Sequence, residues 1–107
     1  MAHILLDVVT PLQHRVVLDG GRWKVVVGKH PHMEKRLGDV EAALRYPDVV
    51  RGSHYDGESF LYYQRSAGES FMCVVICQKP GQHAFITTAY RSCRVKAGPI
   101  LYQLGDN

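Results

Sequence analysis

Lys29-His30-Pro31-His32 sets an ammonium and two imidazoles around a proline that suits the first position of a helix. A helix start carries free N–H groups and a positive dipole end, which favour an anion such as phosphate. Arg36 follows one turn later. Tyr63 and Arg65 stand two residues apart in a strand-like stretch, so they share a face, and Thr88 and Tyr90 do the same in another. Arg91, Arg94 and Lys96 come directly after. Cleavage of RNA by its own 2′-OH needs a base near that hydroxyl, an acid near the leaving oxygen and cations around the phosphate. It needs no metal and no cofactor, and a set of His, Arg, Tyr and Thr can supply all three parts. The plainer alternative is that Tyr63 and Tyr90 pack a sheet and that His30 caps or flanks a helix.

Other chemistries find less support. There is no phosphate-cradling glycine loop and no nucleophile elbow. Cys73 and Cys77 would stand roughly 13 Å apart on one strand, too far to share a zinc ion. His30, His32, His54 and His83 have no carboxylate at a familiar ligand spacing, so no metal site and no cofactor is expected. Asp39 with Glu41, and Asp56 with Glu58, read as solvated carboxylates rather than a glycosidase pair.

The composition bounds the rest. The chain has 107 residues, 46% hydrophobic and 21% charged, which is the length and balance of one globular domain. The longest apolar run, Phe71 to Cys77, is a buried strand's length and far short of a membrane span. The first residues lack the basic start and long apolar core of a secretory signal. The net charge of +3 permits a nucleic-acid partner without demanding one. Three cysteines, an odd number, argue against a closed disulfide framework and for a reducing, cytoplasmic setting.

The elements that must position these residues follow from periodicity. Arg15–Leu18 and Trp23–Val27, joined by a turn at Asp19-Gly20-Gly21-Arg22, predict a short N-terminal hairpin. Pro31 to about Arg45 predicts an amphipathic helix with an apolar stripe of Met33, Leu37, Val40 and Leu44, stopped by Pro47. Extended structure is then expected from Val49 to Arg51, a turn over His54–Glu58, and strands at 59–65, 70–78 and 83–90. Phe71–Cys77 should lie in the middle of the sheet, and Pro99 should confine residues 95–102 to an edge. The expected fold is α+β: a single domain with the helix packed on one face of an antiparallel sheet of about four strands. Residues 1–24 form an N-terminal extension or hairpin, and 25–107 the main domain.

The order of the pieces resembles a known family. Lys29-His30-Pro31, the helix, Tyr46-Pro47-Asp48-Val49-Val50, Leu61-Tyr62-Tyr63-Gln64-Arg65, the apolar strand and Ile86-Thr87-Thr88-Ala89-Tyr90-Arg91 are similar to the phage- and toxin-associated branch of the barnase/EndoU/colicin/RelE-like ribonuclease superfamily. The resemblance covers about residues 25–104. It implies a metal-independent endoribonuclease of toxin or phage-effector type, with His30, Arg36, Tyr63, Thr88 and Tyr90 as catalytic residues. His30 would act as base or acid, and Tyr63 or Tyr90 would hold the phosphate or stack a base. Lys29, His32, Arg65 and Arg91 would bind the RNA. It also implies RNA, and a cognate antitoxin or immunity protein, as partners, with no membrane. The rival expectation is a non-catalytic RNA- or protein-binding module of the same fold. A reading as an immunity protein fits the positive charge less well.

Overall fold

A computed structural model describes residues 3–53 and 56–105. His54 and Tyr55, part of the expected turn, lie outside the described residues. The chain runs β1 (Ile4–Val9), β2 (Arg15–Asp19), α1 (Gly20–Lys29), a 3-10 turn (Pro31–Met33), α2 (Leu37–Arg45), β3 (Val49–Gly52), β4 (Ser59–Arg65), β5 (Phe71–Cys77), β6 (Phe85–Ser92) and β7 (Ile100–Gln103). The result is an α+β domain whose helices pack on one face of an antiparallel sheet ordered β6-β5-β4-β3-β7. That is five strands rather than about four. β5 lies inside the sheet with β4 as the middle strand, and β7 is an edge.

The N-terminal hairpin exists with different partners. β1 pairs with β2, and Trp23–Val27 is not a strand but the body of α1. The Asp19 carboxylate accepts the Arg22 amide N–H at 2.8 Å and caps the helix. Burial of Val26, with Trp23 packed on the core, outweighs the weak helix preference of the valines. The boundary expected at 24/25 therefore falls inside α1. Residues 1–24 are not an appendage: Leu6, Val8, Val16 and Leu18 share one core with Val26, Met33, Leu44, Tyr62 and Ile76. The hairpin also joins β6, where the Val17 amide donates to the Ala84 carbonyl and the Ala84 amide to the Arg15 carbonyl.

The long helix expected from Pro31 is broken into the 3-10 turn and α2. The interruption shifts the helical phase. Met33, Val40 and Leu44 are fully buried, but Leu37 is only half-buried. α2 stops at Arg45, as the restriction of Tyr46 by Pro47 requires. Among the described residues no helix is long and apolar enough to cross a membrane.

A polar cluster ties the hairpin to the sheet. The Tyr62 hydroxyl lies 2.6 Å from Thr10 Oγ1 and 2.8 Å from His14 Nδ1. The His14 ring also packs on Phe60, with centroids 4.3 Å apart. Burial lowers the His14 pKa below the ordinary value of 6.5, so the unfolded chain binds the proton more readily. Stability is then complete above the unfolded value and is lost as the pH falls below it. Melting temperatures measured from about pH 7 to about pH 5 should decline, and His14→Gln should flatten the decline. An unchanged slope in that variant would exclude His14 as its source.

Candidate functional site on the strapped sheet face

The sheet face away from the helices carries its own small cluster. Leu61, Tyr63 and Cys73 are buried there, with Val49, Phe71, Val75, Tyr90 and Val95 packed around them. Strand register lines the residues up in rows. Val49, Tyr63, Cys73 and Tyr90 form one row, and Arg51, Leu61, Val75 and Thr88 the next.

A β-bulge decides which face Thr88 and Tyr90 occupy. Ala84 and Ile86 point into the helix-side core, so strict alternation would send Thr88 and Tyr90 there too. Instead Ile76 pairs with Ile86 and Val75 with Thr88, leaving Thr87 as the extra residue. Ala89 then takes the buried inward position, and Thr88 and Tyr90 swing to the opposite face.

Residues 93–99 form a strap across this face. The Lys96 amide donates to the Tyr63 hydroxyl at 3.1 Å, the Arg51 guanidinium to the Gly98 carbonyl at 2.8 Å, and the Gly52 amide to the Pro99 carbonyl at 2.9 Å. Gly98 has a φ of 154°, and a Cβ there would run into the Gly52 carbonyl oxygen, so only glycine lets the strap lie this close. Beside the strap is a cavity of about 250 Å³, lined by Ser59, Leu61, Val75, Thr88, Tyr90 and Lys96 among others.

His30 and Tyr90 meet. Their ring centroids are 5.5 Å apart, although the residues are far apart in the chain. β6 is the sheet edge and α1 packs on it, so the turn that leaves α1 brings His30 to Tyr90. The backbone of His30 is tied on both sides: its N–H donates to the Val26 carbonyl, and its carbonyl accepts the Met33 N–H. His30 is thus the C-cap of α1 rather than the start of a long helix. The carbonyl end of a helix attracts cations, so the anion site expected at Lys29–His32 is not built. Lys29 and His32 are exposed, with the His32 ring 5.9 Å from that of His30.

The other expected residues are distributed as follows. Thr88 lines the cavity, and its Oγ1 is buried without a hydrogen-bond partner among the described residues, while the Tyr90 hydroxyl interacts with the Cys73 and Tyr63 side chains. Burial pushes the Tyr90 hydroxyl well above its usual pKa, with Cys73 adding to the shift, so at neutral pH it stays protonated. The Lys96 ammonium stands 5.8 Å from the Tyr90 ring centre. Tyr63 is fully buried; its hydroxyl holds the strap and burial pushes it up to about 12. A side chain so enclosed cannot stack a base, so Tyr63 supports the site rather than touching a ligand. Arg36 is paired to Asp39 at 3.1 Å and lines a separate hollow with Pro31, His32, Glu34 and Lys35. It does not join Tyr63, Thr88 and Tyr90. Arg65 shares the strapped face, its guanidinium 5.2 Å from the Phe71 ring centre. Arg91 points to the helix side of its strand and donates to Ser70 Oγ at 2.7 Å.

The sequence gives Cys73 no site role and marks Lys96 only as one of the three cations after Tyr90. Pairing the two hairpins across their short loops aligns Tyr63, Cys73 and Tyr90, which is the signal for the first. Nothing local in the sequence shows that the segment after β6 folds back, which hides the second. Among the described residues no three His, Cys, Asp or Glu side chains stand where they could hold a metal ion together. Set against family models, curated proteins and solved structures, the chain matches none of them.

Proposed function

We propose that the chain is a metal-independent endoribonuclease of toxin or phage-effector type, in line with the superfamily resemblance. The observation that carries this reading is the meeting of His30 with Tyr90 beside the cavity that Thr88 and Lys96 line. In the proposed reaction the substrate's 2′-OH gives its proton to His30 and its oxygen attacks the phosphorus. The bond from phosphorus to the 5′-oxygen breaks, the leaving oxygen takes a proton from water, and the hydroxide so formed takes back the proton held by His30. The products are a 2′,3′-cyclic phosphate and a 5′-hydroxyl. Lys96 replaces Arg36 as the cation nearest the phosphate, because the Arg36 charge is already met by Asp39. The protonated Tyr90 hydroxyl serves as a donor and not as a base. Arg65 and Lys29 attract the backbone of the RNA from outside the site. The three free cysteines suit a reducing, cytoplasmic setting. An inhibitor protein for this positively charged chain would be acidic.

The test is digestion of a mixed-sequence RNA by the purified chain in EDTA. Fragments ending in 2′,3′-cyclic phosphate are expected, with RNA affinity falling as salt rises. Activity lost in EDTA and restored by zinc or magnesium would exclude this mechanism. A gel shift with no fragments would establish the rival, a non-catalytic binding module. One observation favours that rival: Ile100, Leu101 and Leu104, on and beside the edge strand β7, are exposed apolar side chains suited to a protein partner.

A further inference from the structure

We propose that the cavity over Thr88 is a pocket for one unpaired nucleobase, with that nucleotide's phosphate at Lys96. The proposal rests on the RNA reading above and names the part of the substrate that the site would read. The cavity measures about 250 Å³. That lies just under the range of pockets for drug-sized ligands, so it suits one ring system and not a dinucleotide. Leu61, Val75 and Ala97 give it apolar walls, while Ser59, Thr88, Tyr90 and Lys96 supply the polar groups.

The Thr88 hydroxyl carries the argument. Its oxygen is buried and has no hydrogen-bond partner among the described residues, whereas the Tyr90 hydroxyl interacts with Cys73 and Tyr63. Buried hydroxyls in folded proteins nearly always have a partner. The unused capacity of Thr88 therefore points to a group that enters the cavity it lines. A hydroxyl donates and accepts, so Thr88 can meet a donor or an acceptor on the edge of a base. Tyr90 also links the pocket to the chemistry. It lines the cavity while its ring stands beside His30, so a nucleotide seated by its base would carry its ribose toward the imidazole.

The experiment follows the methyl groups of Leu61, Val75 and Ala97 by NMR. The probes are the four ribonucleoside 3′-monophosphates, with ribose 5-phosphate and inorganic phosphate as probes without a base. At least one nucleotide should shift these methyls and bind about tenfold more tightly than ribose 5-phosphate. Thr88→Val removes an unpartnered hydroxyl and keeps the shape, so its melting temperature should hold or rise. Its affinity for that nucleotide should fall by about tenfold. Binding of ribose 5-phosphate equal to that of every nucleotide would overturn the pocket, as would an unchanged affinity in Thr88→Val. So would cleavage of RNA by a chain whose pocket methyls no nucleotide shifts, and that result would leave the nuclease reading standing. Nucleotide binding sensitive to Thr88→Val without any cleavage would do the reverse.

Discussion

His30→Ala is expected to slow RNA cleavage by a factor of about 10²–10⁴, the usual loss when a proton-transfer group is removed. The fold should tolerate the change. The bonds that hold this joint run through the His30 backbone, to the Val26 carbonyl and from the Met33 amide, and alanine keeps both. What the variant loses is an imidazole half-buried against Tyr90. His32→Ala is the matched comparison: its ring is also close to His30, but it is exposed and lines the hollow shared with Arg36. It should cost far less. The readouts are the rate on a mixed RNA pool and the melting temperature of each variant. An undiminished rate in His30→Ala would place the chemistry elsewhere. A collapse in melting temperature would make His30 a structural joint and restore the plainer reading of its position.

The sequence makes most strands legible because their alternation and turn residues are local signals. β2, β4, β5 and β6 fall within a residue or two of where apolar spacing and the Ser66–Glu69 and Lys79–Gln82 turns put them. α1 is hidden because three consecutive valines look like a strand, and only the Asp19 cap and the packing of Val26 show otherwise. The site is legible in its membership more than in its geometry. Thr88 and Tyr90 do share a face, but the face depends on a bulge at Thr87 that no local residue preference announces. His30 does reach Tyr90, yet from the end of one helix rather than the start of another. The strap is the least legible part. Its hold rests on contacts from Lys96 to Tyr63 and from Arg51 to Gly98, both far apart in sequence. Long-range pairing of that kind leaves no periodic trace.

The same contrast between local pattern and long-range packing sets the largest effect expected on stability. Met33, Leu37, Val40 and Leu44 look equivalent as a stripe, but the break before α2 separates them in the folded chain. Leu44 is fully enclosed in the core that also holds Val8, Tyr62 and Val74, so Leu44→Ala removes buried methyl groups and leaves a cavity among rigid neighbours. The expected cost is about 2–5 kcal/mol. For a domain of this size, each kcal/mol lowers the melting temperature by about 4–8 °C, so the variant should be largely unfolded well below the parent's midpoint. Leu37→Ala deletes the same atoms from a half-buried position, where water already reaches part of the side chain. Its cost should be about half as large or less. Denaturant titration of both variants decides the point. Equal losses would mean that the stripe acts as one continuous helix face in solution, with Leu37 as enclosed as Leu44. A small loss for Leu44→Ala would mean that α2 is not seated on the sheet as described. The joint at His30, which hangs between α1 and this packed segment, would then lose the support that aims its ring at Tyr90.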